Sequence, residues 1–176
     1  MVDIKETIKK AAYEEGADLL GFADHEGKTA VVLAYYSAGD LDLGGLDRKA
    51  ERIASRVRRA GFKAEVISAC DGGGVSLRRL AEKAGLGFIG KSGLLITERF
   101  GPHVRLAGLQ INTELPVQEG AGPAKGGCNG CMLCVKACPA GAIERRDASR
   151  CRDFVEGMGE GRCTACIDVC PFKVKG

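Results

Sequence analysis

Residues 128–143 read CNGCMLCVKACPAGAI, with four cysteines spaced C-x2-C-x2-C-x3-C and then a proline. A second run, CTACIDVCPF, begins at Cys163 and repeats the ending C-x2-C-x3-C-P. Two-residue gaps let a tight turn point successive thiolates at one small cluster, and the fourth cysteine of such a run ligates another cluster. The two runs therefore predict an iron–sulfur module with two [4Fe–4S] clusters.

Two four-iron clusters need eight thiolates, and the two runs together with Cys151 supply eight. Under crossed ligation, the last cysteine of each run ligates the cluster that the other run binds. The first cluster would then take Cys128, Cys131, Cys134 and Cys170, and the second would take Cys138, Cys151, Cys163 and Cys166. Because Cys151 stands apart from the second run, this is a variant of the ordinary two-cluster arrangement.

Zinc is the alternative use of these cysteines, since two sites of four thiolates each would also consume eight. Zinc sites do not call for a third cysteine two residues on, nor for Cys-Pro endings, so the spacing favours iron–sulfur. Apolar residues between the cysteines, such as Ile143 and Ile167, would cover the clusters and tune their potential, or simply pack. The ninth cysteine, Cys70, follows a strand-like run and is interpreted as an inert buried thiol.

The composition suits one domain plus a small module: 176 residues, 45% hydrophobic, 5% aromatic and without tryptophan. A formal net charge of +3 is too weak to indicate nucleic-acid binding by itself. No apolar run approaches the roughly 18 residues of a membrane span, and the first ten residues lack the apolar stretch of a signal peptide. We therefore expect a cytoplasmic protein without a membrane partner. Cysteines stay reduced in the cytoplasm.

The sequence before the cysteines alternates between helical and strand-like patterns. Apolar residues at helical spacing predict three helices, over 3–15, 44–61 and 75–85. Alternating or β-branched runs predict five strands, over 18–24, 29–36, 63–69, 93–98 and 103–112. The turn RFGPH would join the last two strands as a hairpin.

These patterns predict an α+β fold in three parts. A small α/β sandwich covers residues 1–115, a turn-rich linker covers 116–127, and a ferredoxin-like double-cluster module covers 128–176. GLGFIG has the letters of a dinucleotide fingerprint, but a helix precedes it and a strand follows it, which is the reverse of the required order. NAD binding is therefore excluded.

Two sets of polar residues are interpreted as structural. Arg56, Arg58 and Arg59 fit the solvated face of their helix rather than a phosphate site. His25 and His103 sit beside turn residues, so we interpret them as surface or turn histidines rather than as a metal ligand or general base.

The segment LAEKAGLGFIGKSGLLI (80–96), with DGGGVSLRR (71–79) before it and the eight-cysteine module after it, resembles epoxyqueuosine reductase. It is similar more loosely to the related reductive dehalogenases. The resemblance implies a corrinoid-binding domain paired with two [4Fe–4S] clusters, and so a cobalamin-dependent reductase. It also implies which residues contact the corrin: Gly87, Gly90, Lys91, Ser92 and Leu95.

In that family an aspartate that opens a D-[ST]-x-P-like segment is the proposed proton donor, and Asp71 matches its position. Here glycines at 72–74 replace the small-residue and proline positions, and Leu77 replaces the usual glutamate. The loop is therefore freer than in the family. The resemblance implies that Asp71 is the catalytic general acid, and the other interpretation is an N-cap or a turn residue ahead of a helix starting near Val75.

The resemblance also implies an external electron donor of the flavodoxin or ferredoxin type, with electrons passing through both clusters to the corrinoid. Segments that cover and extend the full-length enzymes are missing here, so we expect a small molecule or a corrinoid protein as substrate rather than tRNA. A homodimer would shield the cofactor. Two other hypotheses stay open: a non-enzymatic electron-transfer protein that docks a partner, and a non-catalytic homologue that senses redox state.

Overall fold

The computed structural model describes residues 3–37, 43–68, 75–115, 127–159 and 163–173. The helices within these ranges are α1 (Ile4–Glu14), α2 (Leu43–Arg59), α3 (Leu77–Lys83), α4 (Leu133–Ala137), α5 (Ala142–Arg145), α6 (Ala148–Gly157) and α7 (Ala165–Asp168). The strands are β1 (Leu19–His25), β2 (Lys28–Tyr36), β3 (Ala64–Ile67), β4 (Phe88–Ile89), β5 (Leu95–Ile96) and β6 (Val104–Ile111). No helix in these ranges is both long and apolar enough to cross a lipid bilayer.

The main sheet holds β1, β2, β6 and β3 in that order, and every adjacent pair is antiparallel. In central strand β2, all residues except the first and last are buried. Val31 of this strand lies between Phe22 of β1 and Leu109 of β6. Elements cover both faces of the sheet, which explains why the strand is continuously apolar instead of alternating.

Two hydrophobic cores lie on opposite faces of this sheet. On one face, α1 and α2 bury side chains such as Ile8 and Ile53 against Leu33. On the other face, α3 and the small β4–β5 sheet bury Leu80 and Leu95 against β2. Both cores are mainly aliphatic, and the helices and sheet together confirm the predicted α/β sandwich.

One strand pairing was predicted wrongly. The last two predicted strands do not form a hairpin with each other, because β5 pairs with β4 whereas β6 enters the main sheet between β2 and β3. The RFGPH turn does reverse the chain, since Thr97 and Gly101 exchange two backbone hydrogen bonds of 2.9 Å. Pairing partners depend on distant strands, and the turn chemistry alone does not specify them.

The start of α3 corrects one interpretation of Asp71. The N-cap of this helix is Ser76, whose Oγ accepts a hydrogen bond from the Arg79 backbone N–H at 3.4 Å. The interpretation of Asp71 as the cap of this helix was therefore wrong. Asp71 itself lies outside the described residues, as do Cys70, the three glycines at 72–74 and most of the linker.

Candidate iron–sulfur site

The first cysteine run winds tightly before α4 begins. Gly130 has a φ of +69°, and Met132, the residue just before the helix, has a φ of +60°. Left-handed backbone at two nearby positions bends the chain into a tight loop, which continuous extended or helical backbone does not form. This local geometry lets Cys128, Cys131 and Cys134 line a common cavity.

A cysteine from the second run completes this cavity. Cys170, which lies just after α7, lines it together with the three cysteines of the first run. The packing of α4 against α7 brings the two runs together. These four cysteines, the first cysteine group, are the ones that crossed ligation assigns to one cluster.

The other four cysteines interact electrostatically with one another. Burial, followed by the neighbouring Cys163, Cys151 and Cys138, raises the pKa of the Cys166 thiol to about 11. Burial likewise raises the pKa of Cys151, with further contributions from Cys163 and Cys138. These four cysteines, the second cysteine group, are the set predicted for the other cluster.

Cys138 has a different environment from its neighbours. Burial disfavours its thiolate, but the backbone N–H groups of Ile143, Ala142, Ala140 and Gly141 together hold the pKa of this thiol below its ordinary value. Successive N–H groups of a turn that converge on one point form an anion-binding concavity. Because the thiolate is the metal-binding form of cysteine, this turn prepares Cys138 as a ligand.

The donor set favours a cluster over the zinc alternative. Among the described residues, Cys128, Cys131, Cys134 and Cys170 line one cavity. The spacing of the first run, with a third cysteine two residues after the second, is not one that zinc sites call for. Four thiols that surround a cavity instead suit a larger polynuclear group such as a four-iron cluster.

Residues that precede the cysteine runs also line the cavity that contains the first cysteine group, which we call the first cavity. The glycine loop, residues 90–93, contributes Lys91 and Ser92 to the lining. The backbone N–H of Lys91 donates a hydrogen bond to Cys128 Sγ at 3.5 Å. The segment predicted to contact a corrin and the first cysteine group therefore meet at one place.

The other predicted corrin contacts have packing roles in the structure. A Cβ on Gly87 would overlap the carbonyl oxygen of Ile96 and lie 2.8 Å from its carbonyl carbon. A Cβ on Gly90 would lie 2.5 Å from the Ile96 side chain, and Leu95 is buried in the core beneath α3. Their small size and burial serve the β4–β5 sheet, and contact with a corrin stays a prediction.

The sequence did not predict the contacts of Phe172, which lies two residues after Cys170. Phe172 lines the first cavity and packs edge-on against Phe88 of β4, with 5.4 Å between ring centroids. The Phe172 backbone passes so close to Gly101 that a Cβ there would overlap the Phe172 carbonyl oxygen. The glycine in RFGPH predicts only a turn, so the sequence does not indicate that Phe172 approaches Gly101.

Arg78 was also missed as a site residue. Its Nη1 donates a hydrogen bond to the Gly93 carbonyl at 2.6 Å, which ties α3 to the glycine loop. Its positive charge also opposes the burial that raises the pKa of Cys151. Arg78 therefore anchors the glycine loop directly, and its charge favours the Cys151 thiolate.

Comparison with known proteins agrees with this arrangement. The family described as 4Fe-4S binding domain matches residues 125–144, which contain the first cysteine run. An epoxyqueuosine reductase of Xanthomonas campestris pv. campestris is 35% identical over 169 residues, which cover 84% of this chain and 46% of that protein. The chain is similar in sequence to the epoxyqueuosine reductases. It spans less than half the length of this curated relative.

Solved structures share the fold. A crystal structure of epoxyqueuosine reductase with a modified tRNA-Tyr stem loop matches with a TM-score of 0.74 at 20% identity, covering 96% of this chain and 65% of that chain. A reductive dehalogenase structure, described as suggesting a mechanism for B12-dependent dehalogenation, matches with a TM-score of 0.73 at 22% identity, covering 96% and 32%. The predicted α+β fold and the resemblance to epoxyqueuosine reductase are confirmed.

Proposed function

We propose that this chain is an iron–sulfur oxidoreductase that holds two [4Fe–4S] clusters and reduces a bound corrinoid. The observation that carries the proposal is the single cavity that Lys91 and Ser92 share with Cys128 and Cys170. It joins the segment expected to contact the corrin to the first cysteine group. The clusters, when bound, supply one-electron transfer, and cobalamin, when bound, supplies low-potential metal chemistry.

The chain's own residues hold these groups and exclude water. In our proposal the crossed ligand sets make each cysteine run contribute to both sites, so neither site forms without the other run. Ile167, which is 6% exposed, lies between Cys166 and Cys170 in sequence and keeps water away from this region. A dry surrounding is one of the features by which a protein controls the potential of a cluster.

Cofactor content tests the proposal directly. Protein purified without oxygen should carry about eight irons per chain, the number that two four-iron clusters require. Addition of cobalamin should then change the corrin absorbance and release or absorb heat in a calorimeter. A protein with both clusters that shows neither response would contradict the corrinoid part and leave the electron-carrier hypothesis.

The crossed ligation predicts which cysteine variants behave alike. Cys170→Ala should impair the same cluster as Cys134→Ala, and Cys138→Ala should impair the same cluster as Cys166→Ala. Each variant should retain about four intact irons per chain, because the other cluster keeps all four thiolates. EPR spectra of the reduced variants check this, since members of a pair should show the same remaining signal.

Uncrossed ligation gives the opposite pairing. Cys170→Ala would then match Cys166→Ala, because both belong to the second run. That result would overturn the crossed assignment without affecting the presence of two clusters. Iron and sulfide analysis of the same samples shows whether each variant has lost one cluster or both.

Asp71 is the general acid in this proposal, donating its carboxyl proton to the product. Asp71→Asn should lower turnover about a hundredfold, the contribution of one well-placed proton donor, and leave reduction of the clusters by dithionite unchanged. Epoxyqueuosine, offered as the free nucleoside, is the small-molecule substrate to assay, and the same nucleoside within a tRNA stem loop should show no turnover. A rate equal to that of the wild type would remove Asp71 from the mechanism.

We propose a substrate other than tRNA, either a small molecule or a corrinoid protein. A formal net charge of +3 supports this, because tRNA binding draws most of its affinity from neutralised phosphates. The proposal keeps residues 1–115 as the corrinoid-binding part, 116–127 as a linker and 128–176 as the cluster module. It also places the protein in the cytoplasm and allows a homodimer.

A non-enzymatic electron carrier is the second candidate function. Met132 and Leu133, beside the first cysteine run, are 39% and 43% exposed. Apolar side chains exposed next to a redox group suit a docking protein. In the reductase, the same surface would receive an electron donor of the flavodoxin or ferredoxin type, and the cobalamin experiment separates the two functions.

A further inference from the structure

Hydrogen bonds fix the shape of the glycine loop. The Gly93 N–H donates to the Gly90 carbonyl and the Gly90 N–H donates to the Leu94 carbonyl, both at 2.9 Å. Arg78 anchors the loop from α3 through the Gly93 carbonyl at 2.6 Å. These bonds hold the backbone on either side of Lys91, so the direction of its N–H group is set by the fold.

This N–H group is aimed at the first cysteine group. It donates to Cys128 Sγ at 3.5 Å, across a large separation in sequence. Cys128 lines the first cavity, and so does the Lys91 residue that donates the bond. Hydrogen bonds to the sulfurs are one of the means by which proteins set the potential of an iron–sulfur cluster.

We propose that the backbone N–H of Lys91 raises the reduction potential of the first cluster through its hydrogen bond to the Cys128 sulfur. This inference rests on the proposed function, because it takes Cys128 as a cluster ligand. When one electron from dithionite is added, negative charge on the ligand sulfurs increases, and the N–H dipole stabilises it. The lysine therefore acts through its backbone, in addition to the corrin contact predicted for it.

Proline tests the inference because it removes this N–H and suits the turn. Lys91 is the second residue of the turn closed by the Gly93–Gly90 hydrogen bond, a position that proline favours. In Lys91→Pro, the ratio of reduced to oxidised first cluster at a fixed potential should fall roughly twofold to tenfold, the effect of one net hydrogen bond. The second cluster should keep its potential.

Lys91→Ala is the matched control, since it removes the side chain and keeps the N–H. Its first cluster should titrate at a higher potential than that of Lys91→Pro, because both variants lose the ammonium group and only the proline variant loses the N–H. EPR-monitored redox titration with dithionite measures both clusters in the wild type and in the two variants. With both clusters present, an unchanged first potential in Lys91→Pro overturns the inference, and so does an equal change in Lys91→Ala.

A second measurement decides if Lys91→Pro fails to take up the first cluster. Wild-type protein labelled with lysine that carries ¹⁵N only at its backbone nitrogen should show a weak nitrogen coupling to the reduced first cluster in pulsed EPR. Lys91→Ala should lack this coupling. The inference is overturned if the coupling persists in Lys91→Ala, or if the wild type does not show it. Iron and sulfide content of the wild type tests the proposed function separately: a chain that holds no cluster overturns both.

Discussion

Gly101→Ala is expected to remove the first cluster and leave the second in place, so that iron falls from about eight to about four per chain. Gly101 has a φ of +55°, and a Cβ there would overlap the Phe172 carbonyl oxygen and lie 2.8 Å from its carbonyl carbon. The obstacle is backbone, which cannot rotate away as a side chain can. The segment after Cys170 must therefore shift, and Cys170 moves with it. Iron analysis and EPR of anaerobic protein measure the loss.

Gly27→Ala is the matched control for the backbone strain. Gly27 has a φ of +71° in the turn between β1 and β2, and its Cβ position meets no atom of the described residues within 4 Å. An alanine there bears a similar left-handed cost, about 1–2 kcal/mol, without the overlap. This variant should keep about eight irons. A Gly101→Ala protein with a full complement of iron would show that the Phe172 contact does not hold Cys170.

The close approach of Phe172 to Gly101 was not predictable from the sequence. The glycine in RFGPH is equally suited to a plain turn and to a close approach by another segment, because both need a residue without a Cβ. Only the folded chain shows that Phe172 is the segment that approaches Gly101. The same limit explains the misassigned partner of β5, since local turn chemistry does not select distant strands.

Other parts of the site were predictable because their signals are local. The crossed cysteine sets are predicted from ligand spacing, and Cys170 lines one cavity with the three cysteines of the first run, but ligation of a cluster by these sets stays a prediction. Helices α1 and α2 follow from apolar spacing with Ile8 and Ile53 on their buried faces. The hydrogen bond from the Lys91 N–H to Cys128 was not predictable, because every residue except proline has a backbone N–H and the sequence does not indicate which one faces a cysteine.

Gly87→Ala is expected to lower the free energy of unfolding of the α/β sandwich, residues 1–115, by about 3 kcal/mol, the upper end of the usual cost of overpacking. Phe88 pairs with Ile96 in the small sheet, and a Cβ on Gly87 would overlap the Ile96 carbonyl oxygen. The two strands must separate, and the glycine loop between them loses its fixed position. The melting temperature should fall by about 10 °C, and the cobalamin response should weaken, as scanning calorimetry and corrin absorbance would show.

Gly157→Ala separates this effect from the general cost of changing a glycine. Gly157 is the last residue of α6, and apart from its chain neighbours and its own helix backbone, no atom of the described residues comes within 4 Å of its Cβ position. Alanine favours helix over glycine, so this variant should melt at or slightly above the wild-type temperature. If Gly87→Ala melted there as well, the β4–β5 sheet would have to accommodate the extra methyl group by a shift of its backbone. The close approach of Gly87 to Ile96 would then be no constraint on the glycine loop, and a requirement for glycine at this position would have to come from the corrin itself.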